Sequence, residues 1–172
     1  MSRLQRIEDK IIDSGNLSAV TQRNRAKGKR IVFTNGVFDI LHRGHVTLLN
    51  AASELGDYLI LGLNSDQSVR TLNKGPERPI NKEKDRAMVL ASLQCVDAVV
   101  IFSESTPYHL IESIRPDVLV KGGDYDPNET NQSSKTYVVG SDIQRANAKI
   151  TATIPLVDGY STTAIIKKSK ND

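Results

Sequence analysis

Residues Val32 to His45 read V-F-T-N-G-V-F-D-I-L-H-R-G-H. A short apolar run gives way to a polar loop, and helical spacing of apolar residues begins directly behind it. Ile31, Val32 and Phe33 predict a strand covered on both faces, since β-branched and aromatic residues follow one another without alternation. Val46, Leu49 and Ala52 or Ser53 then share a helical face with Leu48 and Leu55 beside it, and Gly56 stands where a left-handed C-cap would end the helix. The loop between strand and helix carries His42 and His45 on either side of Gly44. Free amides and the helix dipole make such an N-terminus an anion site. The stretch therefore reads as a nucleotide phosphate site within reach of two imidazoles.

Working outward, the strand–helix alternation repeats. Tyr58 to Leu63 predicts a second buried strand running into Asn64, Ser65 and Asp66, followed by a short helix to Leu72 and a charged loop, Asn73 to Pro79, from which Lys74 and Arg78 project. Asn81 is placed to cap a helix whose apolar side is Ala87, Leu90, Ala91 and Leu93, and Ala98 to Phe102 predicts the third strand. Thr106 and Pro107 open a helix to Ile114. Val118 to Val120 predicts a fourth strand leading into Lys121, Gly122, Gly123, Asp124 and Tyr125. Asp126 to Lys135 is polar and turn-rich and reads as a mobile flap, ahead of a helix around Tyr137 to Ala146 and a fifth strand near Ile150 to Ile154. The last helix is expected to start at Ser161.

Upstream, Leu4, Ile7 and Ile11 recur at helical spacing behind Ser2, which with Gln5 makes a capping box, and Gly15 is the expected stop. Leu17 to Ala26 reads as a short helix ending at Gly28 or as a basic arm. The whole pattern predicts an α/β fold: a doubly wound, Rossmann-like parallel sheet of about five strands with helices on both faces. Residues 1–28 form a helical extension and residues 29–172 the main domain. In such sheets ligands bind beyond the strands' carboxyl ends, and the loop after the first strand is the expected switch point.

Composition narrows the function classes. With 172 residues, 38% hydrophobic and 25% charged, the chain supports one well-buried domain. The single cysteine, Cys95, excludes an intramolecular disulfide and a Cys-rich zinc site, and reads as a small core residue. No apolar run approaches the ~18 residues of a membrane helix, the first ten residues lack a signal peptide's apolar segment, and a cytoplasmic location is expected. Net charge is +3, carried partly by Arg23, Arg25, Lys27, Lys29 and Arg30 and by Lys167, Lys168 and Lys170. These clusters read as solvated faces: with three Phe, five Tyr and no Trp there is little aromatic interleaving for nucleic acid. A small polyanion accounts for the balance as well.

Paired histidines also suit zinc, but no Cys or Glu partner stands at ligand spacing beside His42 and His45. Ser161, Thr162 and Thr163 fall at a helix start behind Gly159, where hydroxyls cap free amides and can donate to phosphate oxygens; an ordinary N-cap is the alternative. Lys121 reads equally as a ligand cation and as a surface charge.

The segment T-N-G-V-F-D-I-L-H-R-G-H resembles the signature of the cytidylyltransferase-like nucleotidyltransferases, whose H-x-G-H motif binds a nucleotide triphosphate. L-V-K-G-G-D-Y at Leu119 to Tyr125 and G-Y-S-T-T-A-I-I at Gly159 to Ile166 are similar to further signatures of the branch that activates heptose 1-phosphate with ATP. Asn64-Ser65-Asp66, the Lys74–Pro79 loop and Arg86 before Met88-Val89-Leu90 match in order and spacing, so the resemblance runs from about Lys29 to Lys168.

The resemblance implies in-line transfer of AMP from ATP to a heptose 1-phosphate, giving ADP-heptose for a lipopolysaccharide or surface-glycan precursor, with magnesium arriving on the nucleotide. It makes His42, His45 and Lys74 catalytic. It makes Asn35, Gly36, Val37, Phe38, Gly44, Asn64, Asp66, Lys121, Gly123, Asp124, Gly159, Ser161, Thr162 and Thr163 nucleotide contacts. Asp39, Arg78 and Arg86 fall on the substrate side. Asp39 meets a sugar hydroxyl or assists the metal, with a structural partner for loop amides as its other reading. Arg78 and Arg86 serve the acceptor phosphate or support the substrate loop, with plain surface charges as their other reading. Related cytidylyltransferases carry arginine three residues before the last motif's glycine; Leu156 stands there, which points to ATP over CTP. A stand-alone adenylyltransferase is expected, served by a separate sugar kinase and a phosphatase and assembled as a homodimer or larger. Thr130 to Lys149 departs from the resemblance. The alternatives are a related enzyme acting on glycerol 3-phosphate, phosphoethanolamine or FMN, and a nucleotide-binding sensor without catalysis.

Overall fold

The computed structural model describes residues 1–72, 75, 77–157 and 159–169. Five strands, β1 (Ile31–Gly36), β2 (Tyr58–Asn64), β3 (Ala98–Phe102), β4 (Val118–Gly122) and β5 (Ile150–Ile154), form one sheet in the order β3-β2-β1-β4-β5. All four pairings are parallel. The chain belongs to the Rossmann-like α/β class that the alternation predicts.

The helices are α1 (Arg3–Glu8), α2 (Leu17–Ala26), α3 (Arg43–Ser53), α4 (Asp66–Thr71), α5 (Glu83–Ala91), α6 (Tyr108–Ile114), α7 (Ser141–Ala146) and α8 (Thr162–Ser169). Strand side chains alternate between two cores. Val32, Leu59, Leu61, Leu63 and Val99 face α3 and α5, packing on Leu48, Leu49, Ala52, Ala87 and Leu90. Ile31, Phe33, Ile60, Val100 and Leu119 face the other way, onto Leu110, Ile111, Ile114, Leu17 and Val138.

Strand order reverses between β1 and β4. β1 pairs with β2 over its whole length, from Ile31 with Tyr58 to Gly36 with Leu63, but with β4 only at Val32–Val118 and Phe33–Leu119. Beyond those two pairs β1 and β4 part, which opens the crevice at the sheet's carboxyl end.

Several local expectations shift. α1 stops at Glu8 rather than running to Ile11, because the chain is drawn out alongside the sheet edge. The Ile12 N–H donates to the Val99 carbonyl at 2.8 Å and the Val99 N–H donates to the Lys10 carbonyl at 2.8 Å. An otherwise bare edge strand is thereby covered. Ser2 caps α1 by accepting from the Gln5 N–H, but the Gln5 side chain turns to Asp9 and closes no box. Leu17 is 1% exposed, so α2 belongs to the core rather than forming a loose arm.

Helix α3 ends at Glu54 in a right-handed conformation, and Gly56 serves packing instead: a Cβ there would lie 2.7 Å from the Arg30 carbonyl oxygen. Asn81 does not cap α5; Lys82 holds that position without a side-chain bond. The helix expected from Tyr137 begins only at Ser141, since Gly140 takes φ +88° and breaks the run. Asp126 to Lys135 contains no helix or strand and is laced by short-range bonds, such as Asn128 N–H to Asp126 Oδ1 at 2.9 Å and Asn131 N–H to Glu129 Oε1 at 2.8 Å.

Candidate active site

β1 continues through Asn35 and Gly36, so the loop begins only at Val37. Phe38 then adopts φ +45°, a left-handed conformation that costs a non-glycine residue about 1–2 kcal/mol. Its ring folds back over Gly36, where a Cβ would stand 2.7 Å from Phe38 Cε2, and is 6% exposed. Packing offsets the strain. The residues on each side are also pinned. Arg86, 2% exposed, donates from Nη1 to the Val37 carbonyl at 2.6 Å, from Nε to the Asn81 carbonyl at 3.0 Å and from Nη2 to Asp66 Oδ1 at 2.9 Å. Asp39, also 2% exposed, accepts from the Ile80 and Asn81 N–H groups at 2.9 Å and pairs with Arg78 Nε at 2.5 Å, while Asn81 Nδ2 donates to the Asp39 carbonyl.

This network engages three of the residues singled out from the sequence. The Asp39 carboxylate is taken up by loop amides and an arginine, the geometry of loop support. Arg86 lies beneath the loop with its guanidinium committed to Val37, Asn81 and Asp66. Asp66 pairs with Arg86 and with Lys82 at 4.0 Å, and its N–H donates to Glu83, so it is engaged with α5 and its N-cap.

After this pinned loop, His42 is the N-cap of α3, extended at φ −142° and accepting at Nδ1 from the His45 N–H at 3.4 Å. Acceptance at Nδ1 puts the proton of neutral His42 on Nε2. The His42 and His45 rings stack at 3.7 Å between centroids, and Phe38 meets His45 edge-on at 5.0 Å. Burial holds the His42 imidazole below its ordinary 6.5. Gly44 leaves no room for more: a Cβ there would lie 3.1 Å from His42 Cε1 and 3.3 Å from Tyr160 Cβ.

Two cavities open at the sheet's carboxyl end and share Val37 as their common wall. The first, about 410 Å³, is lined by His42, Gly44, His45, Ser161, Thr162, Thr163, Arg78 and the apolar Leu48 and Leu156. It brings the H-x-G-H loop and the Ser-Thr-Thr cluster together although 116 positions separate His45 from Ser161. The cluster follows β5, which pairs with β4 at the sheet edge. Ser161 Oγ accepts from the Ala164 N–H at 3.0 Å and so caps α8, while its own O–H remains a donor. Gly159, at φ +81°, makes the turn into it.

The second cavity, about 390 Å³, is lined by Asn35, Gly36, Asn64, Lys121, Tyr125, Tyr137 and residues 105–107. It occupies the gap where β1 and β4 part. Lys121 Nζ crosses that gap to Asn35 Oδ1 at 3.2 Å and lies 5.4 Å from the centre of the Tyr125 ring. Asn64 is held by donation to Ser68 Oγ at 2.9 Å. Asn35, Asn64 and Lys121 thus sit apart from the histidines and hydroxyls with which the motifs grouped them. Gly123 and Asp124 line neither cavity, and Lys74 lies outside the described residues.

Sequence reasoning passed over Arg43 and Tyr160. The Arg43 guanidinium stands 5.8 Å over the Tyr160 ring, which also stacks near His42 at 6.3 Å. An aromatic between Gly159 and Ser161 was the available signal. Tyr125 closes the L-V-K-G-G-D-Y motif but was given no role, while Tyr137 and residues 105–107 were missed because they are far apart in sequence and bear no motif.

The cytidylyltransferase-like family model matches residues 33–168. This chain belongs to the cytidylyltransferase-like family. Its relatives include the bifunctional protein HldE of a Nitratiruptor species, 52% identical over 164 residues covering 95% of this chain and 33% of that protein. HldE of Helicobacter pylori is 50% identical over 167 residues, covering 97% and 33%. The chain thus spans about a third of the length of these relatives. Among solved structures, the lipopolysaccharide core biosynthesis protein from Thermoplasma volcanium superposes with TM-score 0.61 at 28% identity, covering 76% of this chain and all of the other. Pantoate-β-alanine ligase from Francisella tularensis superposes with TM-score 0.57 at 16% identity, covering 93% and 76%, a likeness of fold alone. Among the described residues no helix is long and apolar enough to cross a membrane.

Proposed function

We propose that this domain transfers AMP from MgATP to a heptose 1-phosphate, releasing pyrophosphate and forming ADP-heptose. The observation that carries the reading is the pair of cavities meeting at Val37, one lined by imidazoles and helix-start hydroxyls, the other by lysine and amide groups. Resemblance to the heptose branch and half-identity to the bifunctional HldE relatives supply the acceptor class.

In this reading the triphosphate lies in the first cavity, against the N-termini of α3 and α8, with His42 Nε2, His45 and the Ser161, Thr162 and Thr163 hydroxyls as donors. Leu48 and Leu156 form its apolar wall for the base, and no arginine at position 156 reaches for a cytosine. The sugar phosphate lies in the second cavity with Lys121 near its anion. A phosphate oxygen of the acceptor attacks the α-phosphorus; the bond from that phosphorus to the bridging oxygen breaks, and pyrophosphate carries the electron pair away. The nucleophile is already an anion, so no general base is needed and the work of the protein is alignment and charge stabilisation. Lys74 remains the proposed cation for the leaving phosphates.

Magnesium belongs to the substrate. It keeps most of its waters and binds chiefly through phosphates, and among the described residues no three His, Cys, Asp or Glu side chains converge into a cage for it. A cytoplasmic setting, a homodimer or larger assembly, and a kinase and phosphatase in the same sequence of reactions are part of the same proposal and rest on the resemblance alone. The test is pyrophosphate release with ATP or CTP across a panel of phosphorylated sugars, glycerol 3-phosphate, phosphoethanolamine and FMN. Release with ATP and heptose 1-phosphate above all others is expected; ATP binding without release from any acceptor would leave a sensor.

A further inference from the structure

Asp142, the second residue of α7, holds two tyrosines at once. Tyr108 donates its hydroxyl to Asp142 Oδ2 and Tyr137 donates its own to Asp142 Oδ1, both at 3.1 Å. The carboxylate pushes the Tyr108 phenol above its ordinary value, which keeps it a donor. Tyr137 is 8% exposed, so its hydroxyl has little recourse to water if Asp142 is lost.

Tyr137 lines the second cavity, and Tyr108 follows directly on a segment that lines it too. That segment is Ser105, Thr106 and Pro107; beside Tyr137 the lining includes Lys135, Val138 and Val139. The Tyr137 segment is also fastened at its base. Val138 is buried in the core, and Gly140 turns tightly over Ile111, where a Cβ would come within 2.6 Å of Ile111 Cδ1. The Thr136 carbonyl accepts the Asp126 N–H at 2.9 Å, which ties the rim to the stretch that leaves β4.

We infer that the Tyr108–Asp142–Tyr137 clasp sets the width of the second cavity and makes Asp142 a positioning residue that selects the phosphorylated acceptor. This rests on the reading of that cavity as the acceptor site. The clasp touches neither the histidines nor the Ser161 cluster, so its effect falls on one substrate only. The rings of Tyr125 and Tyr137 give the cavity flat apolar faces suited to the C–H face of a sugar, with Lys121 and Lys135 for the phosphate.

The test is steady-state kinetics with each substrate varied in turn, on wild type, Asp142→Ala, Asp142→Asn and Tyr108→Phe. Asp142→Ala is expected to raise the KM for heptose 1-phosphate about tenfold or more, the scale of one buried hydrogen-bonding group left unpaired, while the KM for ATP stays within about twofold. Asp142→Asn, which still accepts one phenol, and Tyr108→Phe should fall between. Hydrogen exchange of the Val138–Gly140 amides should accelerate about tenfold in Asp142→Ala, again the equivalent of one such group. Equal rises in both KM values, or an unchanged acceptor KM in an active enzyme, would overturn the clasp alone. A wild-type protein that turns over no sugar 1-phosphate would overturn the acceptor reading and the clasp's role with it.

Discussion

The two cavities at the end of the sheet are of nearly equal volume but are built in opposite ways. The first is assembled from two compact motifs, each a helix start whose local sequence dictates its own geometry: His42 caps α3 and Ser161 caps α8. The second is assembled from single residues of β1, β2 and β4 and of the segments around 106 and 137. What separates them is Val37, and what holds Val37 is Arg86 from below. In the proposed reading, phosphate chemistry here is local to two helix starts, whereas acceptor recognition depends on how distant elements are fastened together.

The comparison can be broken most severely at its shared wall. Arg86→Ala removes a guanidinium that satisfies two carbonyls and one carboxylate, and it should cost about 3–5 kcal/mol of stability, the scale of a broken buried pair. Denaturant unfolding measures it. Because Val37 borders both cavities, any folded Arg86→Lys protein should lose affinity for both substrates together; a change in only one would show that the wall serves only that side.

Changing the first cavity alone comes next. His45→Ala is expected to slow pyrophosphate release by about a hundredfold or more while leaving the unfolding midpoint nearly unchanged, the range for losing one preorganised donor. Near wild-type turnover would remove His45 from the chemistry. Ser161→Ala should cost about 1 kcal/mol through the lost cap on α8 and raise the KM for ATP without moving that for the sugar phosphate.

The smallest effect concerns protons. Burial lowers His42 from 6.5, so between that value and its folded one the unfolded chain binds more protons than the native protein. The contribution of neutral His42 to stability is therefore complete above pH 6.5 and is lost as pH falls through the lower folded value. An NMR titration of His42 in the free protein should give a midpoint below 6.5; a midpoint above it would mean that a carboxylate or bound anion dominates.

Legibility in the sequence follows the same division. The strands were readable because buried parallel strands are continuous apolar runs, as in Ile31–Phe33 and Tyr58–Leu63, and the two helix-start motifs because a helix start needs particular residue types at fixed spacing. For Arg86 and Asp39 loop support is only one of the readings, because a charged residue in a sequence carries no sign of being buried against Val37 or the Ile80 amide. Asn35, Asn64 and Lys121 are grouped with the nucleotide by the resemblance, and only the parting of β1 from β4 after two paired residues shows that they line a different cavity from the histidines. The Tyr137 region was expected to be helical from its composition, and Gly140 alone does not reveal where a tertiary contact ends a helix.

The most direct test of the two-cavity account is therefore Lys121→Ala, with KM measured separately for ATP and for heptose 1-phosphate. The account predicts that the KM for heptose 1-phosphate rises about tenfold, as expected for losing a charge-assisted hydrogen bond, while that for ATP stays within about twofold. A rise in the KM for ATP with the sugar phosphate unaffected would contradict it and return Lys121 to the nucleotide.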